Sequence, residues 1–251
     1  MLVEFYERDI YRNAAGYPVA LRNKLATEIM QLLCTAFGVL VACEEHQVSP
    51  GSLFLDEVRE TFLASKQHRV FTEVVGYEPY KLTNVNVDLS LWTRYRKSNF
   101  AYLVELGSEL CRLFQWNRNK PHRTMAAYQF FEQYLIFDLV PFREDLESPD
   151  EFRLRIKSVR SNTSVKRWCS SLSEEERPFT ALYGPVTPFP LVINKEFLEK
   201  NQDLDGYDAY RRNYLRKLKK MKKNGKIAPN FATWELPLEH PPAWVPLCLL
   251  D

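Results

Sequence analysis

Two carboxylates lie where the apolar pattern predicts a protein interior, and one imidazole lies in the basic elbow that follows. Glu28 and Glu109 each interrupt the apolar stripe of a predicted helix, and His122 follows the second of these helices. A carboxylate on an apolar face must be paired, hydrogen-bonded or shifted in pKa. A shifted pKa makes such a group a candidate functional acid. We therefore treat Glu28, Glu109 and His122 as candidate catalytic residues. The alternatives are a satisfied structural network and, for Glu28, a helix-edge position that reaches solvent.

The most polarised stretch of the sequence is YDAYRRNYLRKLKKMKK, which begins at Tyr207. Its spacing predicts an amphipathic helix with tyrosine, leucine and methionine on one face and cations on the others. Dense cations along one helix suit contacts with phosphate, and the interleaved tyrosines could stack on unpaired bases. The alternative is a solvated helix, balanced by nearby acids, whose tyrosines form the core face. The cations expected to bind nucleic acid are Arg211, Arg212, Arg216, Lys217, Lys219, Lys220 and Lys223.

A second polar and basic group flanks a strongly patterned helix predicted at about residues 99–116. A polar loop and a tryptophan precede this helix, and a basic elbow follows it. An apolar helix between two such segments can anchor a core and place polar groups at its rim. The polar loop contributes Thr83, Asn86 and Trp92, and the further candidate contacts to nucleic acid are Arg94, Arg118 and Lys120.

The elements that must position these residues are predominantly helical. Apolar spacing predicts a mainly α fold: a single compact helical domain over residues 1–251 with little or no β structure. The β-branched stretch VFTEVV at 70–75 predicts one short strand. The predicted helices lie at about 18–36, 53–65, 99–116, 124–138 and 207–226, and Asn224-Gly225 is the predicted C-cap of the last one. The remaining segments are a charged peripheral insertion at 142–178 and a tail at 227–251 that follows the basic helix. The insertion is predicted to include short helices at 151–159 and 163–170 and a capping box of Ser173 and Glu176.

Composition excludes several classes of function. The formal net charge is +2, so net charge alone indicates no partner. The sequence has no phosphate-binding glycine loop, dinucleotide fingerprint or zinc-protease motif, and its four histidines are isolated, so we expect no metal and no cofactor. No uninterrupted apolar run reaches the roughly 18 residues of a membrane span, so we expect no membrane partner. Five scattered cysteines without a C-x-x-C pair indicate a reducing, intracellular compartment.

Three blocks of sequence, in this order, resemble a family of helical proteins from tailed phages and large DNA viruses. The blocks are K-x-x-x-E-x-x-Q-L-L-C-T-A at 24–36, the Y-K-x-T-x-x-N to K-x-H stretch at 80–122, and T-P-F-P at 187–190 followed by A-Y-R-R-N-Y at 209–214. Members of this family are often labelled similar to the pyrimidine-dimer DNA glycosylase of the endonuclease V type. The positions that match the family pattern are Lys24, Glu28, Gln31, Thr83, Asn86, Trp92, Arg94, Glu109, Lys120, His122, Tyr210, Arg211 and Tyr214.

The resemblance implies an all-α fold and DNA as the partner. In an active glycosylase or lyase, Glu28 would stabilise a cationic sugar intermediate while the basic helix grips phosphates. Several family features are replaced here: residues 19–21 read V-A-L instead of D-K-H, and Asn84 and Val87 stand where the family has histidines. Met1 is followed by a bulky Leu2, although the endonuclease V type uses a free N-terminal amine beside a small residue.

These departures favour a DNA-associated protein of viral or phage type that binds DNA without catalysis. One alternative is an active DNA glycosylase or lyase. The other is a structural or interaction protein of the virion that does not bind nucleic acid. Under the first interpretation, we expect the protein inside the host cell, with packaging into the virion and contacts to other virion or replication proteins as further possibilities.

Overall fold

Helices form almost all of the regular structure. The computed structural model describes residues 4–47, 55–85, 87–136, 142, 172–187, 189–191, 193, 195–204 and 206–223. In chain order, the elements within these ranges are α1 (Ile10–Ala15), α2 (Val19–Glu45), α3 (Leu55–Ala64), α4 (Lys66–Val75), α5 (Asp88–Tyr95), α6 (Lys97–Arg118), α7 (Met125–Ile136), a 3₁₀ turn (Glu174–Glu176), the antiparallel strands β1 (Phe179–Thr180) and β2 (Gly184–Pro185), α8 (Lys195–Lys200) and α9 (Gly206–Lys223). The predicted mainly α fold is confirmed.

The core lies between α2 and α6, which share the most extensive contact of any two helices described. Both helices are apolar over much of their length, and their inward side chains, such as Leu33 and Leu106, are fully buried. Removing this apolar surface from water is the main favourable term in folding. Helices α1, α5 and α7 pack on the same α6, while α3 and α5 pack on α2.

Helix α2 is also apolar enough to resemble a membrane span. The segment Leu21–Glu45 reaches a mean hydropathy of 1.8, and 83% of its most apolar window is buried inside the protein. By length and composition, this is the one described helix that could cross a membrane. Its burial is what the central helix of a packed core requires.

A glycine allows α6 and α7 to pack closely. A Cβ atom on Gly107 would lie 2.1 Å from two ring atoms of Tyr128 on α7. The Tyr128 hydroxyl donates a hydrogen bond to the Ala26 carbonyl of α2 at 2.6 Å. One aromatic ring therefore joins three helices, and only a residue without a side chain leaves space for it.

A cluster of aromatic rings connects the first described residues to the later part of the chain. Phe5 stacks on Phe189 with ring centroids 4.2 Å apart, and it also contacts Trp92, Tyr102 and Tyr210. These rings come from the N-terminal segment, α5, α6, the proline-rich stretch and α9. The cluster fixes α9 against the body of the protein.

The predicted strand at 70–75 is wrong, because these residues belong to α4. The Ser65 side chain caps the first turn by accepting a hydrogen bond from the His68 backbone N–H, and Gly76 ends the helix with a φ of 83°. Phe71 and Val75 are buried four residues apart on one helical face. Capping and burial of this face outweigh the weak strand preference of β-branched residues.

Other local predictions had mixed outcomes. Helix α6 extends the predicted central helix at both ends: Arg96 is its N-cap, and the Asn99 side chain donates a hydrogen bond to the Trp92 carbonyl at 2.8 Å. Helix α5 was not predicted. The predicted capping box of Ser173 and Glu176 is confirmed. The predicted short helices at 151–159 and 163–170, the cap at 224–225 and the tail at 227–251 lie outside the described residues.

Candidate functional site

The tyrosines of α9 belong to the core and do not form a stacking surface. Tyr210 is fully buried, and its hydroxyl donates to the Pro190 carbonyl at 2.6 Å. Tyr214 is 5% exposed and packs edge-on against Tyr6. The Tyr207 hydroxyl donates to the Glu176 carbonyl at 2.8 Å. These rings therefore form the inner face of the helix. They do not form the surface for base stacking that the sequence suggested.

Two of the predicted nucleic-acid contacts on α9 are paired with acids of the protein. Arg211 lies 2.9 Å from a Glu7 carboxylate oxygen, and its Nε donates to the Tyr6 carbonyl at 2.9 Å. Lys217 lies 2.7 Å from the buried Glu4 carboxylate. Since both cations hold the N-terminal segment, they are less available to an external polyanion than their positions in the sequence indicate.

The outward side of α9 carries four exposed cations, Arg212, Arg216, Lys219 and Lys220. None of the four has a carboxylate of the described residues within salt-bridge distance. The Arg216 guanidinium donates to Asn213 Oδ1 at 3.0 Å and lies 5.3 Å from the centre of the Phe197 ring. We call these four residues the α9 cationic face. The side chain of Lys223 lies outside the described part of the structure.

Helical geometry places the α9 cationic face in a row. Arg212, Arg216 and Lys220 are spaced four residues apart, so they lie on one side of the helix and rise by roughly 6 Å from one to the next. Lys219 lies beside this row. Such a row presents positive charge along a line, as the backbone of a nucleic acid presents negative charge.

The candidate catalytic carboxylates are each paired on their own helix. Glu109 is 5% exposed, and its Oε2 accepts a hydrogen bond from Arg112 Nε at 2.7 Å. This bond raises the pKa of Arg112. Glu28 lies 3.6 Å from Lys24 Nζ, and its side chain is 17% exposed. Pairing within a structural network therefore accounts for both Glu28 and Glu109.

The third candidate, His122, is buried with both ring nitrogens engaged. Its Nδ1 lies 2.7 Å from Thr124 Oγ1 and accepts from the Thr124 backbone N–H at 3.3 Å. The proton is therefore on Nε2, which donates to Asn23 Oδ1 at 2.8 Å. Burial lowers the pKa of His122, so the neutral ring is favoured. The arrangement describes a positioned donor, and a catalytic role of His122 stays a prediction.

The described residues of the polar loop and Arg94 form hydrogen bonds within the protein. Arg94 is 2% exposed and donates to the Val85 carbonyl, so the structure does not present it to nucleic acid. Trp92 is fully buried, with its Nε1 donating to the Thr187 carbonyl at 3.3 Å. The backbone of Thr83 exchanges hydrogen bonds with the Thr35 hydroxyl on α2. Asn86 lies outside the described residues.

The remaining predicted cations, Arg118 and Lys120, line a cavity of about 330 Å³. Its other lining residues include Arg22 and Asn23 from the first turns of α2, and Asn117 from the end of α6. Arg22 and Asn117 were not predicted. No linear signal joins them, because the two segments that form the cavity are almost a hundred residues apart in the chain.

A larger cleft of about 520 Å³ is lined by residues of α1, α6 and α7 and by the turn at 179–183. Apolar side chains such as Val104 and Met125 line it together with the carboxylates of Glu105, Glu109 and Glu132. Burial raises the pKa of Glu105, whose carboxylate accepts a hydrogen bond from the Ala181 backbone. Sequence reasoning identified only Glu109 in this cleft.

Within the part of the chain that the structure describes, no group of three or more histidine, cysteine, aspartate or glutamate residues could hold a metal ion. No family model, curated protein or solved structure matches the chain. The resemblance to the viral glycosylase-like family therefore stays a prediction, and the assignment of function depends on the geometry described above.

Proposed function

We propose that the protein binds DNA through the α9 cationic face. The observation that carries this proposal is the group of four exposed cations, Arg212, Arg216, Lys219 and Lys220, none of which has a carboxylate of the described residues within salt-bridge distance. Phosphate contacts made by such cations release counterions and give affinity without sequence specificity. The rigid attachment of α9 through Tyr210 and Tyr214 supports the proposal, because the cations need not be ordered from a flexible segment.

The proposed activity is association and not catalysis. The three candidate catalytic residues, Glu28, Glu109 and His122, have separate structural partners in Lys24, Arg112 and the Asn23–Thr124 pair. A glycosylase needs an acid beside the reacting sugar, and none of these three residues lies on the α9 cationic face. Viral or phage origin, an intracellular location and contacts with other virion or replication proteins stay predictions from the sequence.

Salt dependence tests the proposal directly. Four phosphate contacts predict that the logarithm of the affinity for duplex DNA falls with the logarithm of salt concentration with a slope of roughly −3.6. Between about 50 and about 200 mM salt, this slope corresponds to a loss of roughly a hundredfold in affinity. Fluorescence anisotropy of a labelled duplex measures both quantities.

The decisive variant replaces all four residues: Arg212→Gln, Arg216→Gln, Lys219→Gln and Lys220→Gln. We expect weak binding with a slope near zero. The control is Lys66→Gln with Arg69→Gln, two exposed cations on α4. A wild-type protein that does not bind DNA, or a steep slope that survives the fourfold substitution, would refute the proposal.

A further inference from the structure

The cavity at the start of α2 has the composition of an oxyanion site. Its polar lining residues are Arg22, Asn23, Asn117, Arg118 and Lys120, and it includes no carboxylate among the described residues. Three of the five carry positive charge and the other two carry amide donors. The helix whose first residue, Val19, lines the same cavity is 27 residues long, so its positive end adds to the field.

Two of the three cations at this cavity are available to a ligand. Arg118 and Lys120 are exposed, and no carboxylate of the described residues pairs with either. Arg22 is 1% exposed, and its guanidinium donates to the Tyr17 and Ala15 carbonyls at 3.0 and 3.2 Å. These bonds hold Arg22 in the wall of the cavity, so its charge acts from a fixed position.

One amide donor of the lining lacks a partner. The Nδ2 atom of Asn117 is buried from solvent and has no hydrogen-bond partner in the described part of the chain. An unsatisfied buried donor is unfavourable unless a ligand or water accepts from it.

His122 sets the orientation of the second amide. Its Nε2–H donates to Asn23 Oδ1, so the Asn23 amide oxygen is engaged and the NH₂ group remains to line the cavity. Reversal of this amide would place two donors against each other. His122 therefore acts as a positioning residue that presents a donor to the cavity.

We propose that this cavity binds the terminal phosphate of a phosphomonoester. A phosphate dianion matches the exposed cations Arg118 and Lys120 beside the fixed charge of Arg22, and arginine suits its geometry by donating two parallel hydrogen bonds. The volume of about 330 Å³ lies at the lower end of the range for small-molecule sites, which leaves space for a sugar next to the phosphate. The phosphomonoester can come from a free nucleotide or from a phosphorylated DNA end.

Isothermal titration calorimetry with inorganic phosphate, a nucleoside 5′-monophosphate and a short 5′-phosphorylated oligonucleotide tests the proposal. We expect saturable binding to one site, weakened by about tenfold or more in Arg118→Gln with Lys120→Gln. Asn117→Asp should have a similar effect, because it replaces the unpartnered donor with a carboxylate. Circular dichroism verifies that these surface variants remain folded.

Comparison of the probes identifies the source of the phosphate. Tighter binding of the nucleotide than of inorganic phosphate supports a nucleotide site. Tighter binding of the phosphorylated oligonucleotide than of its 5′-hydroxyl counterpart, by an amount that the cavity variants remove, supports recognition of a DNA end. No saturable binding of any probe, or affinities unchanged in both cavity variants, would overturn the proposal.

This inference does not depend on the α9 cationic face. The fourfold α9 variant should bind inorganic phosphate as the wild type does, while the cavity variants should retain the salt-dependent binding of an unphosphorylated duplex. Either proposal can therefore fail without the other.

Discussion

His122 shows at the residue scale how surroundings select one role for a versatile side chain. An exposed histidine changes charge near neutral pH and can serve as a base. Here the ring is 3% exposed and is held between Thr124 and Asn23. Desolvation disfavours the charged form, and Nδ1 already accepts a hydrogen bond. The result is a neutral donor whose role is to orient an amide.

The lowered pKa of His122 predicts an effect on stability. The unfolded protein binds a proton at this ring near pH 6.5, whereas the folded protein resists it until lower pH. The contribution of His122 to the free energy of unfolding is therefore fully present above about pH 6.5 and is lost as pH falls toward the folded pKa. His122→Gln should remove this pH-dependent loss of stability.

Urea unfolding at about pH 7 and about pH 5 measures the effect. We expect the wild type to lose more stability between these pH values than His122→Gln does. Arg69→Gln, at an exposed position on α4 whose charge does not change in this range, is the control and should follow the wild type. Equal losses in the wild type and His122→Gln would show that the ring does not resist protonation in the folded state.

At the scale of elements, the packing of α7 on α6 depends on one missing side chain. Substitution of glycine by alanine in an exposed helix usually stabilises it by roughly 1 kcal/mol. At position 107, the added methyl group would meet the ring of Tyr128 instead. The hydroxyl bond from Tyr128 to Ala26 limits how far the ring can retreat.

Gly107→Ala should therefore destabilise the protein by about 1–3 kcal/mol, as overpacking in a core typically does. The midpoint of urea unfolding provides the measurement. Replacing the ring by a smaller side chain in Tyr128→Leu should relieve the clash. The double variant, Gly107→Ala with Tyr128→Leu, should therefore lose less stability than the sum of the two single losses. Additive losses, or a gain in stability from Gly107→Ala alone, would contradict the close approach described for these helices.

At the scale of the whole molecule, charge pairs and rings join the first described residues to α9. The buried Glu4 carboxylate accepts a hydrogen bond from the Tyr6 hydroxyl and pairs with Lys217 at 2.7 Å, over 213 positions of sequence. A second pair joins Glu7 to Arg211. Together with the rings around Phe5, these contacts hold α9 against the body and turn its remaining cations outward.

Lys217→Met should cost about 1–3 kcal/mol of unfolding free energy, because it leaves the Glu4 carboxylate buried without its ammonium partner. Urea unfolding is again the measurement. Adding Glu4→Gln should recover part of the loss by removing the unpaired charge. Arg212→Met, on the exposed side of the same helix, should change stability by roughly 0.5 kcal/mol or less. A similar small effect at both positions would mean that the pair does not secure α9.

The helical class, the core faces of α2 and α6 and the cationic character of α9 all follow from spacing within short windows of sequence. An apolar residue every three or four positions defines a helical face regardless of what packs against it. Only the tertiary structure shows that Arg211 and Lys217 pair with acids while other cations of α9 stay exposed. It also shows that Arg94 is buried. In the same way, the fold brings Arg22 beside Arg118 and Lys120. Such pairings join residues far apart in the chain, and their energies depend on burial and neighbouring charge, which local periodicity does not encode.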